Sequence, residues 1–168
     1  MRRALELQRA GSSAPPPSDR VTLDYDARYR RRGMLVTGTG ERILLDLAQT
    51  TELGHGDLLL LEDGDTLEVV AAAERLTAVS APEGVPLARF AWHIGNRHTP
   101  CAVEADRLLI RHDHVLEEML RGLGARLLPI EAPFLPEGGA YGHGRTHGHH
   151  HGHDPHADPN AHIPHRHG

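Results

Sequence analysis

Histidine is the residue type with the clearest chemical potential in this sequence. The chain has 15 histidines in 168 residues, and ten of them lie within 143–168, among glycine, proline, aspartate and alanine. Neutral imidazole nitrogen binds nickel, copper, zinc and iron, and most rings are neutral at pH 7 because their ordinary pKa is about 6.5. The candidate metal ligands in this segment are His143, His147, His149, His150, His151 and His153.

The spacing of these histidines indicates weak and exchangeable metal binding. Several rings are near enough in sequence for one ion to recruit them, but ordering a flexible backbone around the ion costs conformational entropy. Such a segment suits the collection of ions better than catalysis. Two other interpretations stay open: a purification tag, which usually lacks interruptions such as Asp154, Pro155 and Pro159, and a pH-responsive tail that binds no metal.

Two further histidine clusters precede this tail. His93 and His98 lie near the end of a predicted helix, and His112 and His114 flank Asp113 where a predicted strand passes into a second helix. Each histidine is a candidate metal ligand. A histidine near a helix end is also commonly a capping or surface residue, and an aspartate at such a position is a good helix N-cap.

Composition excludes several classes of protein. The formal net charge of −5 argues against a nucleic-acid-binding protein, which needs a basic face. The single cysteine, Cys101, excludes a disulfide within one chain and a cysteine-only zinc site; it is either a soft metal ligand near His98 or a small strand residue. The longest aliphatic run, 58–61, is too short to cross a membrane, and charged residues interrupt the first ten residues. We therefore expect a cytoplasmic protein without a secretion signal.

The first half of the chain predicts a small β-rich domain. We expect residues 1–19 to be a flexible start, because the proline- and serine-rich stretch 11–19 has no apolar pattern to pack. Over 20–65, short apolar runs such as 34–36 and 43–47 alternate with glycine-containing turns. Strands of this length and spacing are typical of an all-β domain.

The segment 66–142 has the pattern of a ferredoxin-like domain. Residues 66–80 predict one long or bent strand, and after Pro86 the apolar spacing becomes that of one helix face. Two short strands follow near 101–103 and 108–110, then a second helix and a last strand at 127–130. The order β-α-β-β-α-β is that of the split βαβ motif, so the predicted fold class is α+β.

The second helix is predicted over 113–123, with Asp113 as its N-cap and Gly124 as its stop. Its inward residues are expected to be Val115, Leu116, Met119, Leu120 and Leu123. Beyond Tyr141 no aliphatic face exists to form a core, so we expect 143–168 to be disordered without a ligand.

Together these segments resemble the urease accessory protein UreE family, which are nickel metallochaperones. The resemblance is most specific over 87–168, where it rests on four motifs and the histidine-rich end. The first two motifs are Trp92-His93-Ile94-Gly95-Asn96-Arg97-His98-Thr99-Pro100 and Asp113-His114-Val115-Leu116-Glu117-Glu118-Met119-Leu120. The other two are Gly122-Leu123-Gly124 and the set Phe134, Pro136, Glu137, Gly139, Ala140 and Tyr141. The amino-terminal half is similar more loosely, through 28–33 and 53–57.

The resemblance implies a two-domain homodimer whose first domain is similar to the peptide-binding domain of some heat-shock co-chaperones. It implies that His98 binds nickel at the dimer interface and that His112 and His114 bind further metal. His93 falls on the helix face opposite Leu87 and Ile94, so it is expected to be exposed and is a secondary candidate. The implied partners are other urease accessory proteins, including the GTPase, and apo-urease, with no nucleic acid or membrane. A dimer is also attractive because nickel takes about four to six donors, and a two-fold axis doubles those that one chain offers.

The sequence thus predicts a nickel carrier for urease assembly rather than an enzyme, and copper and zinc are expected to bind in vitro as well. A general buffer or detoxification protein for nickel, zinc or copper is the main alternative. A metal-dependent hydrolase built on His112, Asp113 and His114 lacks any His-Glu-x-x-His or nucleophile-elbow motif. A peptide-binding chaperone would depend on the first domain alone.

Overall fold

The first domain is a six-stranded sheet. The computed structural model describes residues 1–13 and 15–138 of the chain. The strands of this sheet are β1 (Arg3–Gln8), β2 (Asp19–Leu23), β3 (Tyr29–Val36), β4 (Arg42–Glu52), β5 (Leu58–Leu61) and β6 (Thr66–Ala71), with a 3-10 turn at Asp26–Arg28. Their order across the sheet is β2-β6-β5-β1-β4-β3, with β1–β4 and β2–β6 parallel and the other pairs antiparallel. The prediction of a strand-rich first half is confirmed.

The start of the chain differs from the predicted flexible segment. Strand β1 lies inside the sheet between β4 and β5, and Ala4 is completely buried. The charged residues Arg3 and Glu6 interrupt the alternation of apolar and polar residues that is typical of a strand. Only two side chains of β1, Ala4 and Leu7, pack against the core. Main-chain pairing on both sides holds the strand in place, and such pairing is not visible in a local pattern.

The boundary between the domains also differs from the predicted one at 65/66. Residues 66–80 form two strands in two sheets: β6 belongs to the first domain, and β7 (Ala73–Ser80) opens the second. The chain changes sheet at Ala72, whose N–H donates to the carbonyl of Leu23 at 2.8 Å. The residues around the change, 69–73, are all valine or alanine, so the sequence offered no turn signal between the two strands.

The second domain has the predicted ferredoxin-like order. Strand β7 is followed by α1 (Leu87–Gly95), β8 (Ala102–Val103), β9 (Leu108–Arg111), α2 (His114–Gly122) and β10 (Arg126–Pro133). The sheet order is β10-β7-β9-β8, and all its pairs are antiparallel. The α+β fold class is therefore confirmed, while the predicted tail 143–168 lies outside the described residues.

The two faces of this sheet pack against different parts of the protein. One face packs against both helices, through Val79, Leu108, Phe90, Ile94 and Leu120. The other face presents Leu76, Ala78 and Leu109 to Tyr25 of the first domain and to Phe134, which follows β10. Alternation along β7 produces this division, since neighbouring strand residues point to opposite faces.

Helix α2 begins and ends largely as predicted. The side chain of Asp113 accepts a hydrogen bond from the N–H of Leu116 at 3.0 Å, which makes it the N-cap. After the helix, Gly124 has a φ of 92° and the N–H of Ala125 donates to the carbonyl of Leu120, as in a Schellman motif. The prediction that Val115 faces inward is wrong: its side chain is 54% exposed.

No helix within 1–13 and 15–138 is long and apolar enough to span a membrane.

The contact between the domains centres on Phe134, and its replacement should be costly. Phe134 is completely buried, and its ring meets that of Tyr25 edge-on with centroids 5.0 Å apart. We expect Phe134→Ala to lower the free energy of unfolding by about 3–5 kcal/mol, measured by urea unfolding with circular dichroism.

The neighbouring Leu135, which is 47% exposed, provides a matched control. Leu135→Ala should change the same free energy by no more than about 0.5–1 kcal/mol. Equal losses in the two variants would contradict the role given to Phe134.

Candidate metal centre

The backbone at the end of α1 holds His98 in an unusual conformation. After Gly95 the N–H groups of Asn96, Arg97 and His98 donate to the carbonyls of Trp92, Ile94 and Gly95 at 2.9–3.1 Å. His98 has a φ of 53°, the left-handed region, and is the one non-glycine residue with positive φ among those described. Histidine is one of the few side chains that adopts this region with some frequency. This turn ends the helix and leaves His98 exposed.

His93 lies one turn earlier, on the last turn of α1, and is partly buried. Its ring stands edge-on to that of Trp92, with centroids 5.0 Å apart and planes 87° apart. Trp92 itself is 64% exposed, so the pair forms an aromatic surface on the outside of the helix. The sequence placed His93 on an exposed face, and the structure leaves it half-covered.

The second cluster is built around a buried carboxylate. His112 follows β9, and its Nδ1 lies 2.8 Å from Oε1 of Glu117 on α2. The same oxygen accepts from the hydroxyl of Thr77 on β7 at 2.6 Å, and Oε2 accepts from Arg121 at 3.2 Å. The side chain of Glu117 is only 7% exposed, whereas that of His112 is 56% exposed. An exposed imidazole is therefore held by a carboxylate that is fixed inside the domain.

The pKa of Glu117 reflects two opposing influences. Burial, the largest single influence, raises it, since a charged group loses hydration. Hydrogen bonds from Thr77 and His112, the nearby charge of His112 and the hydrogen bond from Arg121 lower it and together outweigh burial. The net pKa is below the ordinary value, so the carboxylate is ionised at neutral pH.

Glu117 and Thr77 belong to the candidate site, and sequence reasoning missed both. The sequence predicts Val115, and not Glu117, on the inward face of this helix. In the structure Glu117 takes an inward position beside Leu116 and Leu120. The sequence does contain an indication that Glu117 faces inward, because residues 117 and 120 are three apart and so lie on one helix face.

A cleft lies between the second histidine cluster and the residues that follow His98. It is lined by Arg75, Thr99, Pro100, Arg111, His112 and Asp113. Thr99 and Pro100 directly follow His98, so the turn after α1 and the start of α2 border the same space. His114 is the first residue of α2 and is exposed.

The structure brings no complete metal site together in one chain's described part. Within residues 1–13 and 15–138, no three histidine, cysteine, aspartate or glutamate side chains converge closely enough to hold an ion. The remaining candidates from the sequence, His143, His147, His149, His150, His151 and His153, lie outside those residues.

Cys101 fits the core better than a metal site. It is partly buried and packs against the core on the helix side of the sheet. Burial, together with the charge of Glu137, raises the pKa of the thiol to about 11. The metal-binding form of cysteine is the thiolate, which is scarce at neutral pH when the pKa is this high.

The chain matches known families along nearly its whole length. Residues 3–72 match the family model described as UreE urease accessory protein, N-terminal domain, and residues 74–167 match its C-terminal domain. The boundary between the two matches coincides with the change of sheet at Ala72.

Similar proteins described as urease accessory protein UreE occur in several bacteria. The protein of Ruegeria sp. (strain TM1040) is 59% identical over 130 residues, which are 77% of this chain and 72% of that protein. The protein of Cereibacter sphaeroides is 55% identical over 143 residues, 85% of this chain and 76% of that protein. For Paracoccus denitrificans the identity is 56% over 135 residues, 80% of this chain and 84% of that protein.

The lowered pKa of Glu117 makes a prediction for stability at acidic pH. As pH falls, the unfolded chain takes up a proton on this carboxyl group near its ordinary pKa of 4.5, before the folded protein does. The stabilisation by ionised Glu117 is thus present above about pH 4.5 and is lost as pH falls through the folded-state pKa. We expect the difference in unfolding free energy between wild type and Glu117→Gln to shrink over that window, in urea unfolding at stepwise lower pH.

The control for this measurement is Glu118→Gln, which removes an exposed carboxylate from the same helix turn. Its difference from wild type should vary little with pH. A Glu117→Gln difference that stays constant across the acidic window would contradict the assignment.

Proposed function

The chain belongs to the UreE urease accessory protein family, and we propose that it binds nickel(II) and donates it during assembly of the urease active site. A role in urease maturation comes with the family. One observation supports the proposal of nickel binding and donation. His98 is an exposed imidazole in a left-handed backbone turn, within Gly95-Asn96-Arg97-His98-Thr99-Pro100.

The proposed nickel site lies between two copies of the chain. One His98 provides one nitrogen, whereas nickel takes about four to six donors. A two-fold axis that passes near His98 would bring a second imidazole without any new sequence. The exposure of His98 at the end of a helix, beside a cleft, is compatible with such a contact. Water or tail histidines would fill the remaining positions.

Further nickel would bind at the other histidines. We assign His112, His114 and His93 as additional ligands on the second domain. The tail would collect loosely held ions for the interface site, through His143, His147, His149, His150, His151 and His153. Copper(II) and zinc(II) would also bind in vitro, since imidazole nitrogen does not exclude them.

The proposed work is binding and exchange, with no catalytic step. An exposed single imidazole that is completed by a second chain can release its ion when a partner offers a better set of donors. The partners of this transfer would be the GTPase among the urease accessory proteins and finally apo-urease. We propose the cytoplasm as its location, as the sequence led us to expect.

Nickel binding by three forms of the protein tests this proposal. In equilibrium dialysis, the full chain should bind the most nickel, and a version that ends at Tyr141 should keep the interface site, one per dimer, together with any nickel held by His112, His114 and His93. The version that ends at Tyr141 keeps all of the described residues, including the buried core. His98→Asn should remove the interface site, one ion per dimer, and impair urease activation at limiting nickel, because asparagine tolerates the left-handed backbone but lacks the imidazole.

The exposed His55 of the first domain offers a control of the same residue type. His55→Asn should keep the site in the truncated protein and support urease activation. If the truncated protein bound no nickel, the interface site would be wrong. If His98→Asn activated urease as well as wild type while the tail still bound nickel, a buffer for nickel, zinc or copper would be the better description.

A further inference from the structure

The contact between His112 and Glu117 determines which ring nitrogen of His112 is available. Nδ1 of His112 lies 2.8 Å from Oε1 of Glu117. An ionised carboxylate accepts hydrogen bonds and donates none, so Nδ1 must carry the hydrogen. In the neutral ring the lone pair is then on Nε2. Among the described residues, Nε2 of His112 has no hydrogen-bond partner, and the side chain is 56% exposed.

The carboxylate is itself held from two directions. The hydroxyl of Thr77, on the central strand β7, donates to Oε1, and the guanidinium of Arg121, one turn along α2, donates to Oε2. Thr77 is 3% exposed and Glu117 is 6% exposed. The acceptor for His112 is thus fixed by the sheet and the helix together, while the ring that it holds faces outward.

We propose that Glu117 is a positioning residue for nickel binding: it fixes the Nδ1–H form and the orientation of His112, so that Nε2 is presented as the metal donor. The inference rests on the proposed function, in which His112 is a ligand. It adds a residue that touches no metal but selects the nitrogen that does.

This arrangement has a known physical benefit. Histidines that bind metals usually donate their other ring N–H to a carboxylate or carbonyl, which fixes the tautomer and makes the free nitrogen a better donor. Loss of such a partner commonly weakens metal binding by about 10–100-fold. The oriented ring also borders the cleft that Thr99 and Pro100 line, directly after His98. The second donor therefore stands beside the segment that carries the first.

A purely structural role for Glu117 predicts different results. In that case the carboxylate would only satisfy buried Thr77 and support α2. Removing it would then affect stability, and any loss of metal binding would not depend on His112. The test must therefore include readouts that stability alone does not move.

The first readout is the tautomer of His112 in the metal-free full-length chain. Proton–nitrogen correlation spectra of the histidine rings at about pH 8, where the rings are neutral, distinguish Nδ1–H from Nε2–H. The signal of His112 is identified by its absence in His112→Ala. We expect Nδ1–H in wild type and a shift towards Nε2–H in Glu117→Met, which removes the acceptor but keeps an unbranched side chain. A wild-type ring in the Nε2–H form would overturn the proposal.

The second readout is a double-mutant cycle of nickel affinity, measured on full-length protein by competition with a chelator. We expect Glu117→Met to weaken the His112-dependent site about tenfold. In a chain that already carries His112→Ala, the same change should have no further effect, because Glu117 acts through that ring. Additive effects of the two substitutions would overturn the proposal.

Two control variants distinguish the proposed effect from a loss of folding. Glu118→Met, on the same turn but exposed, should leave both the tautomer and the nickel affinity unchanged. Because Glu117→Met leaves the Thr77 hydroxyl without its acceptor, Thr77→Val with Glu117→Met restores an apolar pair, and it should show the same tautomer shift and the same tenfold loss.

The outcomes separate this inference from the function on which it rests. If His112→Ala leaves nickel binding unchanged, the assignment of His112 as a ligand is wrong, and the inference is overturned with it. If His112→Ala weakens binding and Glu117→Met does not, only the inference is overturned.

Discussion

The two domains depend on one buried contact, in which the end of β10 returns to the first domain. Phe134 is completely buried against Tyr25, and its carbonyl accepts a hydrogen bond from the guanidinium of Arg28, a residue only 2% exposed. A buried cation is costly unless it is paired, so Arg28 favours a single placement of the chain after β10. This contact also covers the sheet face that lies opposite the helices. On the opposite face, where the helices pack, His93 and His114 lie within the helices and His98 follows the end of α1.

The candidate metal residues are placed by two different physical means. His98 is positioned by the backbone, since a left-handed residue turns the chain where α1 ends. His112 is positioned by a side chain, through the carboxylate of Glu117 that Thr77 and Arg121 hold. The first arrangement leaves the ring exposed at the surface. The second restricts the ring and chooses one of its nitrogens.

Local pattern was a good guide where one element packs by one face. The 3.6-residue period before Ile94, the cap at Asp113 and the stop at Gly124 were each visible in the sequence, and together they predicted the ferredoxin-like order. Pattern was a poor guide where packing comes from strand pairing. Strand β1 has few inward apolar side chains, and 69–73 is apolar across a change of sheet. Neither the inclusion of β1 nor the break at Ala72 depends on local residue types.

For the site, the sequence by itself determined the type of ligand and the short segments that carry it: imidazoles at the end of one helix, at the start of another and in the tail. Those features are local, because they depend on residue type and spacing alone. Only the tertiary structure decided that Glu117 points inward, that Thr77 of a distant strand meets it, and that His112 and the residues after His98 border one cleft. These are contacts between residues far apart in the chain, and the packing of α2 on the sheet sets them.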